Sequence, residues 1–256
     1  MKFLITLYKY LRFWGGPYKC IVCSRRIRIF FPLSTSLQQK AKSNGFPYDF
    51  KRMETLNYEM CNCPFCLSSD RERLYLIFLD KYLADNSRQY SILDFAPNAA
   101  FSKAIKAYGH RYTSTDLFRT DVDIQLDVCD MKEIENETFD LIVCSHVLEH
   151  VPDPDKGMRE IHRIMRPTGK AIIMVPLFWD VESTTEDKRH NTDELRLRHY
   201  GQDDHVRLFA RTDFLKRLHL AGFDVAQIKP HELDREKIRE NAIADNSILY
   251  ICSKSS

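Results

Sequence analysis

Past residue 70 the chain alternates between two spacings of apolar positions. Short alternating or continuous apolar runs predict strands, and runs with apolar residues three and four apart predict helices. "RERLYLIFLDKYLA" (71–84) reads as a helix, "YSILDFA" (90–96) as a strand, and "AAFSKAIKAYG" (99–109) as a helix closed by Gly109. "RYTSTD" (111–116), "DIQLD" (123–127) and "FDLIVCS" (139–145) read as strands, the last of them buried on both faces. "DPDKGMREIHRIMR" (153–166) predicts a helix stopped by Pro167 and Gly169, feeding the strand "KAIIMVP" (170–176). "RTDFLKRLHLAGF" (211–223) predicts a helix with Thr212 as its cap. Strands over 224–230 and 246–253 follow. Seven strands alternating with helices give a doubly wound, mostly parallel α/β sheet whose ligands bind at the carboxyl ends of the strands.

Two stretches break the rhythm. Residues 177–210, "LFWDVESTTEDKRHNTDELRLRHYGQDDHVRLFA", are too long and too charged for an ordinary connection, and such insertions usually carry function. Residues 1–70 are irregular and rich in cysteine and aromatic residues. At their start, residues 1–16 form an amphipathic helical pattern, with Lys2, Thr6, Lys9 and Arg12 opposite Phe3, Leu4, Leu7, Leu11 and Trp14. That pattern suits either packing on protein or peripheral contact with a membrane, and it is too short and charged to span one. The predicted divisions are therefore an amphipathic basic helix (1–18), a cysteine module (19–70) and the α/β domain (71–256).

Charge sharpens this picture. The chain of 256 residues carries a net +2, which argues against wholesale binding of a polyanion. Yet residues 1–60 hold 11 Lys/Arg against 3 Asp/Glu, and the rest hold 27 against 33. The eight cysteines follow no secretory signal, which points to a reducing cytoplasm where close pairs bind metal. Cys20 and Cys23 form one C-x2-C, and Cys63 and Cys66 a second, the ligand set of a closed tetrahedral zinc site. Cys61 competes with Cys63 for that role.

The predicted strand ends collect acids: Asp94 after the first, Asp116 after the second, Asp127 after the third, with Ser145 and His146 after the fourth. A carboxylate about 20 residues beyond the first turn suits a ribose diol. The turn "DFAPNAA" contains no glycine; Ala96, Ala99 and Ala100 keep it open, and Asn98 is its best candidate for a left-handed conformation. "HVLEH" brings His146, Glu149 and His150 to helical spacing, a pattern that either packs or holds a divalent ion.

"FDLIVCSHVLEHVPDP" followed by "GMREIHRIMRPTGKAIIMVP" resembles the fourth and fifth motifs of class I S-adenosylmethionine-dependent methyltransferases of the small-molecule type. The resemblance covers residues 71–252 and implies a Rossmann-like fold. It places Asp94, Phe95, Ala96 and Pro97 beside the cofactor's methionine moiety, Asp116 and Leu117 at the ribose, Asp127 and Val128 at the adenine edge, and Ser145 and His146 facing the methyl. A helix N-terminus after the first turn would offer backbone N–H groups to the cofactor's carboxylate. Candidate bases are His146 and His205 of the insertion, and Glu186, Asp187, Asp204, His205 and Arg207 are expected to contact a polar acceptor. The expected activity is O-methylation of a polar small molecule or a glycan, including a lipid-linked one at the inner membrane face. An RNA methyltransferase with a basic zinc ribbon is the rival, weakened because "SHVL" stands where base-nitrogen methylating enzymes carry an aromatic–proline motif. A third reading is a binding protein that keeps the fold without turnover.

Overall fold

The computed structural model describes residues 11–85 and 87–255. Its centre is a seven-stranded sheet built from β3 (Ser91–Phe95), β4 (Arg111–Asp116), β5 (Ile124–Gln125), β6 (Phe139–Ser145), β7 (Met165–Met174), β8 (Phe223–Ile228) and β9 (Leu249–Lys254). The spatial order is β5-β4-β3-β6-β7-β9-β8, with β9 antiparallel to both of its neighbours and the other pairs parallel. The predicted α/β, mostly parallel, Rossmann-like sheet is thus present. β6 lies at its centre with six consecutive buried residues, which explains its unbroken apolar run.

The helices α2 (Asp70–Leu83), α3 (Ala99–Lys106), α4 (Pro154–Ile164) and α6 (Arg211–Leu220) pack around the sheet. Two boundaries differ from expectation. α4 ends at Ile164 and β7 starts at once, so Pro167 and Gly169 lie within the strand, at an irregularity in its register with β6. Gly169 is required there, because a Cβ would stand 3.1 Å from the Asp140 carbonyl oxygen and closer still to Met165. The cap of α6 is Ala210, and Thr212 lies inside the helix.

At the front, most of the amphipathic pattern lies outside the described residues. Residues 11–13 are helical, but Trp14–Lys19 forms β1 instead of continuing the helix, pairing with β2 (Arg26–Ile27). Gly16, at φ +121°, permits this hairpin, since a Cβ would come within 2.8 Å of the Arg28 backbone. No helix among the described residues is long and apolar enough to cross a membrane.

The cysteine module shares its core with the sheet. Cys20, Val22, Ile27, Phe30 and Cys63 belong to the same apolar cluster as residues of α2, β3, β6, β7, β8 and β9. Arg73, fully buried, stitches the two: it donates to the carbonyls of Met60 (2.9 Å), Cys61 (2.7 Å), Ser68 (3.1 Å) and Asn241 (2.9 Å), and lies over the Phe30 ring. A second, smaller core joins two segments distant in sequence. Ala41 of helix α1 (Thr35–Ser43), Phe46 and Phe50 pack with Phe178, Val181, Tyr200 and Leu208 of the insertion. The insertion itself contains α5 (Asp193–Tyr200), capped by Thr192. A last helix, α7 (Arg235–Glu240), lies between β8 and β9, in a stretch the periodicity left without an element.

Candidate functional site

The four-thiol cluster is formed by Cys20, Cys23, Cys63 and Cys66, whose sulfur atoms all lie within 4.8 Å of one another. The Cys20–Cys66 and Cys23–Cys63 separations are both 3.8 Å. A tetrahedral ion bound at about 2.3 Å to sulfur requires edges of about 3.8 Å, so the cluster has the dimensions of a closed zinc site. Cys61 is excluded: its sulfur turns to Asp70 at 3.7 Å, and burial pushes its thiol up to about 12.

The cofactor side is a cavity of about 300 Å³ at the carboxyl ends of β3 and β6, lined among others by Arg71, Glu72, Asp94, Ala96, Asn98 and His146. The turn after β3 solves the missing-glycine problem differently from expectation. Ala96 itself adopts a positive φ of +48°, whereas Asn98 has φ −76° and caps α3. Its Oδ1 accepts from the amides of Ala100 (2.9 Å) and Phe101 (3.2 Å), so two amides expected for a cofactor carboxylate are already satisfied. Asp94 is 2% exposed and accepts from the Tyr112 hydroxyl at 2.6 Å. Burial pushes its carboxyl up to about 7 against that hydrogen bond, and the Glu72 charge adds to the rise.

The neighbouring strand ends are shaped by local turns. Asp116 Oδ1 accepts from the amides of Phe118 (2.8 Å) and Arg119 (3.0 Å), so a ligand would be met by Oδ2. Leu117 and Phe118 beside it are exposed. Asp127 Oδ1 accepts from the Cys129 amide at 2.8 Å, while Val128 is buried. Asp116, Leu117, Asp127 and Val128, expected at the ribose and adenine, lie outside the cavity lined by Asp94 and His146.

A second cavity, about 270 Å³, lies under the cap that residues 33–56 and the insertion form through the smaller core. Leu33, Leu37, Phe50, Met53 and Leu56 of the front segment give it an apolar wall, and Glu149, His150, Gln202, Asp204 and His205 a polar one. Arg71 and His146 line both cavities. His146, at φ +56°, is held between an Arg71 guanidinium nitrogen touching Nε2 and the Glu149 carboxylate 3.1 Å from Nδ1. Burial first, then the Arg71 charge, push its imidazole down to about 4, so it is neutral at pH 7. Ser145 is hydrogen-bonded to Tyr75 at 2.8 Å.

The insertion residues divide. Asp204 and His205 line the second cavity, but Arg207 and Glu186 form a brace: Arg207 donates to the carbonyls of Leu148 (2.8 Å), Val151 (2.5 Å) and Pro152 (3.2 Å) and to Glu186 at 3.0 Å. Glu186 also pairs with Arg217 at 2.6 Å, and Asp187 with Arg189 at 2.5 Å. The structure thus places Glu186, Asp187 and Arg207 away from the expected acceptor pocket. Glu72, Tyr75 and Tyr112 enter the site without having been expected there, whereas Arg71, which the sequence offers as a tie between the modules or a contact to an anionic acceptor, lines both cavities. Arg71 and Tyr75 lie four apart on α2, and that shared face was the available signal.

A doubly wound sheet with acids at the ends of its parallel strands, open to a divided cleft, defines an enzyme class that binds a nucleotide-like cofactor there. A family model described as a methyltransferase domain matches residues 67–228. The chain belongs to that family of methyltransferase domains. Curated relatives match over short segments. The ubiquinone biosynthesis O-methyltransferase of Pseudomonas syringae pv. tomato is 41% identical over 46 residues, which is 18% of this chain and 20% of that protein. The sterol 4-C-methyltransferase of Caenorhabditis elegans is 29% identical over 72 residues, 28% of this chain and 20% of that protein. The chain therefore spans about a fifth of the length of these curated relatives. Among solved structures, the Burkholderia thailandensis 1,6-didemethyltoxoflavin N1-methyltransferase, crystallised with 1,6-didemethyltoxoflavin and S-adenosylhomocysteine, superposes with a TM-score of 0.48. It is 17% identical over 72% of this chain and 78% of that one.

Proposed function

We propose that the chain methylates a hydroxyl of a polar small molecule or glycan that carries an apolar portion, with His146 at the junction of cofactor and acceptor. The observation that carries this reading is the sharing of Arg71 and His146 by two cavities of different character. The first has acids facing inward, Glu72 and Asp94, which suit the cationic methionine end of S-adenosylmethionine, and Asp116 suits its ribose. The cofactor supplies a methyl group on an electrophilic sulfonium. The protein's part is to align the acceptor oxygen and receive its proton.

His146 meets that need because it is neutral and its Nε2 already faces a donor. An acceptor O–H entering from the second cavity replaces the Arg71 N–H at Nε2, and Nδ1 faces Glu149. Arg71, released, stays beside the reacting groups as a fixed positive charge. The apolar wall under the cap accommodates a lipid-like or aromatic portion of the acceptor, and the four thiolates hold a structural zinc that anchors this wall. Calorimetric titration with S-adenosylmethionine tests the cofactor reading: binding with one site per chain is expected, and none up to 1 mM would remove it. Labelled-methyl transfer to a panel of hydroxylated small molecules and lipid-linked glycans tests the acceptor. Turnover of RNA and none of the panel would overturn the choice.

A further inference from the structure

The turn after β6 carries a charge that the methyl-transfer reading leaves unexplained. Glu149 is 1% exposed, and neither carboxylate oxygen has a hydrogen bond of acceptable geometry. His146 Nδ1 approaches Oε1 to 3.1 Å without aligning as a donor, and among the described residues the other ion-pair partners of Glu149 are two more imidazoles. His150 Nε2 stands 3.9 Å and His205 Nε2 4.0 Å from the same oxygen. The two rings meet edge to face at 4.7 Å. A buried carboxylate faced only by imidazoles is the arrangement that a cation completes.

The chain is built to hold these groups together. Val206 donates its amide to the Glu149 carbonyl at 3.0 Å, and Arg207, 4% exposed, clamps the carbonyls of Leu148, Val151 and Pro152. The segment "DHVR" of the insertion is thereby sewn to the turn "HVLEH", and His205 is delivered beside Glu149. Outer contacts orient His150: its Nδ1 lies 3.2 Å from the Asp204 carbonyl and 3.5 Å from its carboxylate, which turns Nε2 to Glu149. Histidines that ligate metal are characteristically oriented by such a second contact. His146 is not part of the set, because Arg71 occupies its Nε2.

We propose that Glu149, His150 and His205 bind a divalent ion of the zinc, cobalt or manganese type, distinct from the four-thiol site, with an open position facing the second cavity. One atom from each residue lies within 4.8 Å of the others, and ligands about 2.0–2.1 Å from a tetrahedral ion stand about 3.3 Å apart, so small side-chain shifts close the site. Three protein ligands with a vacant fourth position mark an ion that meets a substrate. The ion would take an oxygen of the acceptor, which ties this inference to the proposed reaction.

The test is titration of the full-length protein, its four-thiol site already metal-loaded, with Co2+ followed by visible absorption and equilibrium dialysis. One additional equivalent, with a weak band free of sulfur charge-transfer intensity, is expected. Glu149→Gln and His205→Ala should each weaken its uptake at least tenfold while metal in the four-thiol site stays constant. S-adenosylhomocysteine binding by each variant reports whether it folds, and His150→Ala gives a third variant should one fail. No uptake below 1 mM, or equal uptake by wild type and folded variants, overturns the site and leaves Glu149 as a carboxylate compensated by protonated imidazole. Wild type that takes up the ion but not S-adenosylhomocysteine would instead sink the methyltransferase reading of the cleft.

Discussion

The two walls of the cleft are made in opposite ways. The wall proposed to meet the cofactor is drawn from the start of α2 (Arg71, Glu72 and Tyr75) and from the ends of β3 and β6 with the turns beyond them, elements that follow one another along the chain between residues 71 and 146. The wall proposed to meet the acceptor is assembled from residues 33–56, the turn carrying Glu149 and His150, and residues 176–205; the first and last of these meet through the Phe46–Phe50–Phe178 aromatic cluster and a bridge between Met53 and Phe178. One wall is a property of the sheet. The other exists only when two distant segments fold together, and the four-thiol cluster fastens the first of those segments to the sheet. The first wall therefore rests on local structure and the second on long-range structure.

The largest expected effect comes from removing that fastening. Structural zinc contributes on the order of 10 kcal/mol in small domains, comparable to the whole stability of a protein. Cys63→Ser should abolish zinc retention and leave the protein largely unfolded or aggregated. Cys61→Ser should retain one zinc and melt within a few degrees of wild type, because Cys61 faces Asp70 and not the cluster. Zinc analysis and thermal melting decide it, and a full equivalent of zinc in purified Cys63→Ser would assign the metal elsewhere.

The same contrast explains what the sequence disclosed. The continuous run of β6 and the acids closing β3 and β4 are local signals, and these strands lie where periodicity puts them. The paired cysteine spacing likewise identified the thiol set, but only the turn of Cys61 toward Asp70 separates Cys63 from its neighbour. The cap was not legible. α1 and α5 are short helices whose apolar residues face each other across more than 150 positions, and no window contains both halves. For the same reason Arg207, surrounded in sequence by charge, read as a ligand contact although its partners are carbonyls more than 50 residues away.

At the junction of the walls, His146→Asn should lower kcat by about 10²–10⁴-fold, the range for a positioned base, with S-adenosylhomocysteine affinity changed only severalfold. Single-turnover kinetics and calorimetry measure the two. A kcat within threefold of wild type would assign the proton to another group. Further out, Asp116→Ala should weaken S-adenosylhomocysteine by about tenfold to a hundredfold, as expected for hydrogen bonds to a charged group, and leave the KM of the acceptor unchanged. Asp204→Ala should do the reverse, raising the acceptor KM while the cofactor Kd stays constant. Equal shifts in both constants by either variant would mean that the walls are not functionally separate.

The smallest effect is one of pH and concerns the cofactor wall alone. Burial raises the Asp94 carboxyl to about 7, well above its value in an unfolded chain, so the folded apo protein binds this proton where the unfolded chain does not. The sign follows. Between roughly pH 4 and 7 the apo protein loses stability as pH rises, because folding opposes ionisation of Asp94, and Asp94→Asn should flatten that fall in melting temperature. Cofactor binding runs the other way. If the cofactor's ammonium sits against Asp94, the ionised form is the binding form, and affinity should climb by up to about tenfold per pH unit below 7 and level off above it. Asp94→Asn should bind S-adenosylhomocysteine more weakly at pH 8 and show no such climb. Titrations from pH 5.5 to 8.5 decide it, and a flat profile in the wild type would place the ammonium against another group.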